Sequence, residues 1–243
     1  WLTKKRLTHS EFLHSKYTLD TIKNLIAGLI ANQDTVLLDE SFTEKEVDSL
    51  IGGYAKTVIQ TPIELNIGSF DDFIIQLKSS TGKIGLFTSG TTRAPKLIFH
   101  NITTFINASR TGDKYKNHIW GLAYNPTHMA GLQVLFQALL NRNLVIELFG
   151  LSNDEIIDKL SQFDITHLSA TPTFYRLLDS KNVIFKSVKR ITLGGEKSDK
   201  ATIDKINKVF PESKITNIYA STEFGTLFIS DGESFSIKSN ILD

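Results

Sequence analysis

Between Gly85 and His100 an apolar run opens into Thr88-Ser89-Gly90-Thr91-Thr92, passes through Arg93-Ala94-Pro95-Lys96, and turns apolar again. Hydroxyl groups, flexible backbone at Gly90 and a cation at Lys96 are what a loop needs to wrap phosphate oxygens with N–H and O–H donors. Pro95 stiffens the exit. Composition alone leaves a second reading open, that of a polar Ser/Thr/Gly surface turn. The Walker pattern G-x-x-x-x-G-K-[ST] is not met, because Ala94-Pro95-Lys96-Leu97 supplies neither the second glycine nor the hydroxyl after lysine. An ordinary P-loop nucleotidase is therefore disfavoured.

Four further positions could carry chemistry. His128 lies in Pro126-Thr127-His128-Met129-Ala130-Gly131, ahead of a long apolar helix, where a lone histidine more often starts or packs a helix than binds a ligand. Thr171-Pro172-Thr173 is also an ordinary helix start, with proline at the first helical position. Gly194-Gly195-Glu196 follows an apolar run and reads either as a tight turn or as backbone left bare for a ligand. The fourth is Tyr219-Ala220-Ser221-Thr222-Glu223-Phe224-Gly225.

The elements that must position these residues alternate. Apolar spacing of three and four predicts helices over 18–31, 70–77, 103–110, 129–141, 152–163, 172–179 and 200–210. Thr43 and Glu46 form a capping-box pattern that opens another helix. Short apolar runs predict strands over 35–38, 58–59, 118–124, 144–148, 167–170, 190–193 and 214–219. The phosphate-loop candidate sits between two more. Strands alternating with helices predict an α/β fold of mainly parallel sheets with helices on both faces. Leu227–Ser230, Asp231-Gly232 and Phe235–Lys238 predict a C-terminal β-hairpin with a D-G turn. Each chemical position then falls at a strand end, where open parallel sheets bind ligands.

Taken together, these stretches resemble those of the adenylate-forming superfamily: acyl- and aryl-CoA synthetases, peptide-synthetase adenylation domains and luciferases. Its phosphate loop reads roughly [ST]-S-G-[ST]-T-G-x-P-K, matched here by Thr88, Ser89, Gly90, Thr91, Thr92, Pro95 and Lys96, with Arg93 standing where glycine is usual. The P-x-H-x-x-G stretch is matched by Pro126, His128 and Gly131, V-P-[ST] by Pro172 and Thr173, and G-G-E by Gly194, Gly195 and Glu196. Tyr219, Thr222 and Glu223 match Y-G-x-T-E, with Ala220 for its glycine. The matches run in family order from Thr88 to Gly225.

The resemblance implies ATP-dependent adenylation of a carboxylic acid, with Mg²⁺ and with coenzyme A as acyl acceptor in the intact enzyme. Thr88, Ser89, Gly90, Thr91, Thr92 and Lys96 are then expected to hold the β,γ-phosphates. His128 borders the acyl pocket and nucleotide, and the backbone of Gly194, Gly195 and Glu196 lines that pocket. Tyr219 packs on adenine, Thr222 meets the α-phosphate, and Glu223 holds Mg²⁺, for which carboxylate oxygen is the preferred ligand type. Lys96, His128, Thr222 and Glu223 are the expected catalytic set. The alternative is a non-catalytic nucleotide- or acyl-binding protein with a degenerate site, a reading that Arg93 favours and that retention of Lys96, Thr222 and Glu223 opposes.

Residues 1–243 are accordingly expected to be one adenylation-type N-terminal domain. The small C-terminal domain of the family, with its catalytic lysine, would lie beyond Asp243, and Trp1 in place of Met suggests numbering that begins inside a longer protein. The short arm before the loop is similar to the smaller members, among them o-succinylbenzoate–CoA ligases.

Composition bounds the partners. At 243 residues and 41% hydrophobic content the chain can bury a substantial core. The 27 Lys and Arg balance 26 Asp and Glu, so no basic surface points to nucleic acid. The absence of cysteine removes disulfides and thiolate chemistry. No apolar run approaches the ~20 residues of a spanning helix, and a cytoplasmic location is expected. A dehydrogenase would need a G-x-G-x-x-G after a strand, and none is present.

Overall fold

The computed structural model describes residues 5–15, 18–88, 95–221 and 225–230. The chain divides into two compact units, residues 1–107 and 108–243.

The first unit holds β1 (Lys5–His9), β2 (Phe12–Leu13), α1 (Thr18–Ile30), β3 (Thr35–Leu37), α2 (Glu44–Ile51), β4 (Thr61–Leu65), α3 (Phe70–Lys78), β5 (Lys83–Thr88), β6 (Lys96–Asn101) and the start of α4 (Ile102–Ala108). Helix α1 buries Leu25, Ile26, Leu29 and Ile30, the apolar stripe that the spacing predicts. The Thr43–Glu46 capping box forms, with both reciprocal hydrogen bonds present. One sheet runs β2-β3-β5-β6. Its β2, β3 and β5 are parallel, but β5 and β6 pair antiparallel. The connection from Thr88 to Lys96 is too short for the crossover that a parallel pair requires. A cluster of Leu38, Val47 and Ile51, with Phe12, Phe42 and Phe87 against it, packs α2 on this sheet.

A second, two-stranded sheet pairs β1 with β4, antiparallel. Here the strand expected at Val58-Ile59 is corrected. Tyr54–Val58 is a 3₁₀ turn, Val58 and Ile59 are 70% and 61% exposed, and the strand begins at Thr61. Alternating burial of Ile63 and Leu65 selects the later register. Pro62 is tolerated because, among the described residues, β4 has a single strand partner.

The second unit holds β7 (Ile119–Leu122), α5 (Met129–Leu140), β8 (Leu144–Glu147), α6 (Asn153–Gln162), β9 (His167–Ala170), α7 (Pro172–Leu177), β10 (Arg190–Gly194), α8 (Lys200–Val209), β11 (Lys214–Ser221) and β12 (Gly225–Ser230). Its sheet runs β12-β11-β10-β9-β7-β8, parallel except for β12. On one face Trp120, Leu122, Tyr124 and Val145 meet Val134 of α5. The other face carries the larger core, in which Ile146, Leu168, Ala170, Ile191 and Leu193 meet Ile156 and Leu160 of α6, Tyr175 of α7 and Ile206 of α8. Helices on both faces agree with the alternation in the sequence.

Only the first arm of the expected C-terminal hairpin falls within the described residues. Leu227–Ser230 belongs to β12, which pairs antiparallel with β11 through a bulge at Tyr219/Ala220. Asp231-Gly232 and Phe235–Lys238 lie outside the described residues.

Candidate active site

Strand order locates the site in the second unit. From β7 the chain moves outward to β8, then returns to β9 on the opposite side of β7. The order reverses at β7/β9, and crevices outside the carboxyl ends of strands at such a switch point are where open α/β sheets bind ligands. The segments that leave β7 and β9 there are 123–128 and 171–173. The segment after β10, the next strand, is 195–199. Three of the chemical stretches singled out in the sequence therefore lie at neighbouring strand ends.

After β7, Asn125 builds the turn. Its Oδ1 accepts from the Thr127 N–H at 2.9 Å and from the Thr127 hydroxyl at 2.7 Å, while its carbonyl accepts from the His128 N–H at 3.1 Å. His128 becomes the N-cap of α5 with extended backbone, its side chain making no capping bond and its surface exposed. Gly131 is required by packing. A Cβ there would lie 2.1 Å from the Asn125 carbonyl oxygen and 3.0 Å from the Pro126 Cα. The proline and glycine of the P-x-H-x-x-G stretch thus hold the first turn of α5 tightly against the loop that presents His128.

After β9, the Thr171 hydroxyl caps α7 by accepting from the Phe174 N–H, and Pro172 opens the helix. After β10, Gly195 adopts φ +84°, a left-handed conformation that favours glycine. Glu196 reaches across to α7. Its carboxylate accepts from the Thr173 N–H at 3.2 Å, from the Thr173 hydroxyl, and from the Arg176 guanidinium at 3.2 Å.

Tyr124, which the sequence reading passed over, ties these strand ends together. Its hydroxyl donates to the Ala170 carbonyl at 2.9 Å and lies against Gly194, where a Cβ would come 3.0 Å from it. Burial, reinforced by the negative charge of Glu196, pushes the phenol well above its ordinary range. The one sequence signal was a tyrosine at the end of a predicted strand, just before Asn125-Pro126.

The remaining expected residues divide. Thr88 ends β5 and Lys96, which is exposed, begins β6, so the two frame the phosphate-loop candidate. Ser89, Gly90, Thr91 and Thr92 lie outside the described residues, as do Thr222 and Glu223. The Tyr219 backbone belongs to β11. Among the described residues no cluster of His, Cys, Asp or Glu could hold a metal ion, and no helix is long and apolar enough to cross a membrane.

A doubly wound sheet with a helix start at its switch point and bare glycines at the next strand end has the architecture in which α/β proteins bind ligands at strand ends. Residues 77–239 match the AMP-binding enzyme family, and the chain belongs to that family. It is 24% identical over 197 residues to D-lysergyl-peptide-synthetase subunit 2 of Claviceps purpurea, covering 78% of this chain and 14% of that protein. It is also 24% identical over 205 residues to 2-succinylbenzoate–CoA ligase of Staphylococcus epidermidis, covering 76% of this chain and 43% of the ligase. The chain thus spans less than half the length of either of these relatives. The solved o-succinylbenzoate–coenzyme A synthetase of Bacillus subtilis, in complex with ATP and magnesium ion, superposes with a TM-score of 0.64 at 16% identity, covering 91% of this chain and 51% of that one. That likeness is one of fold, an α/β architecture with a helix-flanked, mainly parallel sheet.

Proposed function

We propose that this chain adenylates a small carboxylic acid with ATP as part of an AMP-forming acid–thiol ligase, both units belonging to one adenylation-type domain. The observation that carries the reading is the convergence of Pro126–Gly131, Thr171–Thr173 and Gly194–Glu196 on the ends of β7, β9 and β10, at and beside the switch point. The named relatives support it.

In the reaction a carboxylate oxygen bonds to the α-phosphorus of ATP, the bond to the β-phosphate oxygen breaks, and pyrophosphate leaves with the electron pair. Two anions must be brought together, so catalysis is chiefly positioning and charge neutralisation. Thr88, Ser89, Gly90, Thr91, Thr92 and Lys96 are assigned to the β,γ-phosphates. His128 and the bare backbone of Gly194-Gly195, with Glu196, are assigned to the acid and nucleotide. Tyr219 is assigned to adenine, Thr222 to the α-phosphate and Glu223 to Mg²⁺, which when bound would neutralise phosphate charge. The bareness at Gly194-Gly195 fits a flat or chain-like ligand, since absent side chains let it approach the main chain.

Coenzyme A is the proposed acceptor in the complete enzyme, and a further domain or separate acceptor would supply the transfer step. A cytoplasmic setting supplies ATP and coenzyme A. Among acids, an aryl acid with a second carboxylate of the succinylbenzoate kind is the first to try.

The test is Mg²⁺-dependent pyrophosphate release across aryl, succinylbenzoyl and fatty acids. Release that depends on acid and falls at least about a hundredfold in Glu223→Ala is expected, the scale of one lost preorganised electrostatic partner. Wild-type release in that variant would overturn the Glu223 assignment. ATP binding without release under any acid would overturn adenylation itself.

A further inference from the structure

We propose that Tyr124 and Arg176 are positioning residues that clamp the Gly194–Glu196 turn from its two ends and so give the acid-binding crevice a fixed backbone wall. This rests on the assignment of that turn to the acid and nucleotide.

A wall made of Gly194 and Gly195 has no side chain with which to hold itself. Glycine has the widest conformational freedom of any residue, and Gly195 sits in the left-handed region. Order must therefore come from outside the turn. At its start, the Tyr124 hydroxyl donates to the Ala170 carbonyl and packs against Gly194, bringing the ends of β9 and β10 together on a ring anchored beyond β7. Tyr124 is only 9% exposed and packs with Leu122 and Val134. A Cβ on Gly194 would come 3.0 Å from its hydroxyl oxygen, so the absence of a side chain at 194 also makes room for the tie.

At the other end, Arg176 holds Glu196. One guanidinium nitrogen donates to the carboxylate at 3.2 Å and to the Thr173 hydroxyl at 2.6 Å, and the other lies 3.9 Å from Asp199, the N-cap of α8. The Arg176 carbonyl in turn accepts from the Lys205 ammonium at 2.7 Å. Arg176 thereby binds the turn to both α7 and α8. It also offsets a negative charge that would otherwise stand beside a crevice meant for an anion.

The experiment compares Tyr124→Phe, Arg176→Met and Arg176→Lys with wild type by two readouts. Amide hydrogen exchange over 193–198 is measured without ligand, and pyrophosphate release is measured as a function of acid concentration. The clamp predicts exchange about tenfold or more faster across the turn in the Phe and Met variants, with the rest of β9 and β10 unchanged. It further predicts an acid KM raised about tenfold with kcat nearly unaltered, because a wall contributes uniform binding. Arg176→Lys should recover much of both, since charge is retained and only the fork geometry is lost.

Wild-type exchange in both variants would overturn the clamp. Faster exchange with an unchanged KM would overturn the positioning role while leaving adenylation intact. If wild type releases no pyrophosphate with any acid, the adenylation reading fails separately, and the exchange data still decide the clamp. Should Tyr124→Phe not fold, Arg176→Met and Thr173→Val carry the same comparison on a surface network.

Discussion

Thr88 and Lys96 are register partners, the last pair of the antiparallel β5–β6 ladder. Strand pairing therefore fixes both residues, and a hydroxyl and an ammonium stand where the phosphate-loop candidate begins and ends. Lys96 is exposed, so its role is separable from folding. Lys96→Ala is expected to weaken Mg²⁺–ATP binding by about tenfold or more, the scale of one charge-assisted hydrogen bond. The urea midpoint should stay at the wild-type value. Calorimetric affinity equal to wild type would remove the loop from the phosphate site.

Gly131 is a packing requirement rather than a conformational one. With a Cβ position only 2.1 Å from a backbone oxygen, Gly131→Ala forces either α5 or the Asn125–Pro126 turn to move. A loss of about 2–4 kcal/mol is expected from such overpacking, measured by urea unfolding. A variant as stable as wild type would mean that the turn yields freely and does not hold His128.

At the amino ends of β7 and β9, the rings of His118 and His167 stack with centroids 4.0 Å apart. Burial first, and then the neighbouring His118 and Arg190, bring the His167 imidazole down to about 4 from an ordinary 6.5. Burial lowers His118 as well. An imidazole lowered in the folded state binds fewer protons than in the unfolded chain, so stability is full above about 6.5 and declines as pH falls toward 4. Each unit is worth about 1.4 kcal/mol before screening by solvent, and partial exposure leaves an expected loss of about 1–2 kcal/mol. Urea unfolding across that range should show the decline, and His167→Gln should flatten it. An equal slope in the variant would assign the acid sensitivity elsewhere.

Helix α6 opens with a second capping box, in which Ser152 accepts from the Glu155 N–H while the Glu155 carboxylate accepts from the Ser152 N–H at 2.8 Å. Ser152→Ala is expected to cost about 1 kcal/mol, read as a lower unfolding midpoint. Pyrophosphate release should be unaffected under native conditions, which makes this variant a control for the site substitutions.

Much of this molecule was legible before any coordinates. The stripe of α1, the Thr43–Glu46 box and the span of β9 follow from spacing and capping, whose free energies act within a few residues. The positions of His128, Thr171 and Gly194 at strand ends were legible for the same reason. The pairing of β1 with β4 was not, because it joins Lys5–His9 to a segment more than fifty residues away, and Val58-Ile59 offered a stronger local β signal.

Sequence alone therefore determined that the stretches around His128, Thr171 and Gly194 stand where strands end. Tertiary structure alone decided that the strand order reverses at β7/β9, that Gly131 leaves room for the Asn125 carbonyl, and that the Tyr124 hydroxyl bonds Ala170 beside Gly194. Such relations are set by which strands become neighbours. That choice depends on burying apolar faces across the whole sheet, and no local pattern in the chain encodes it.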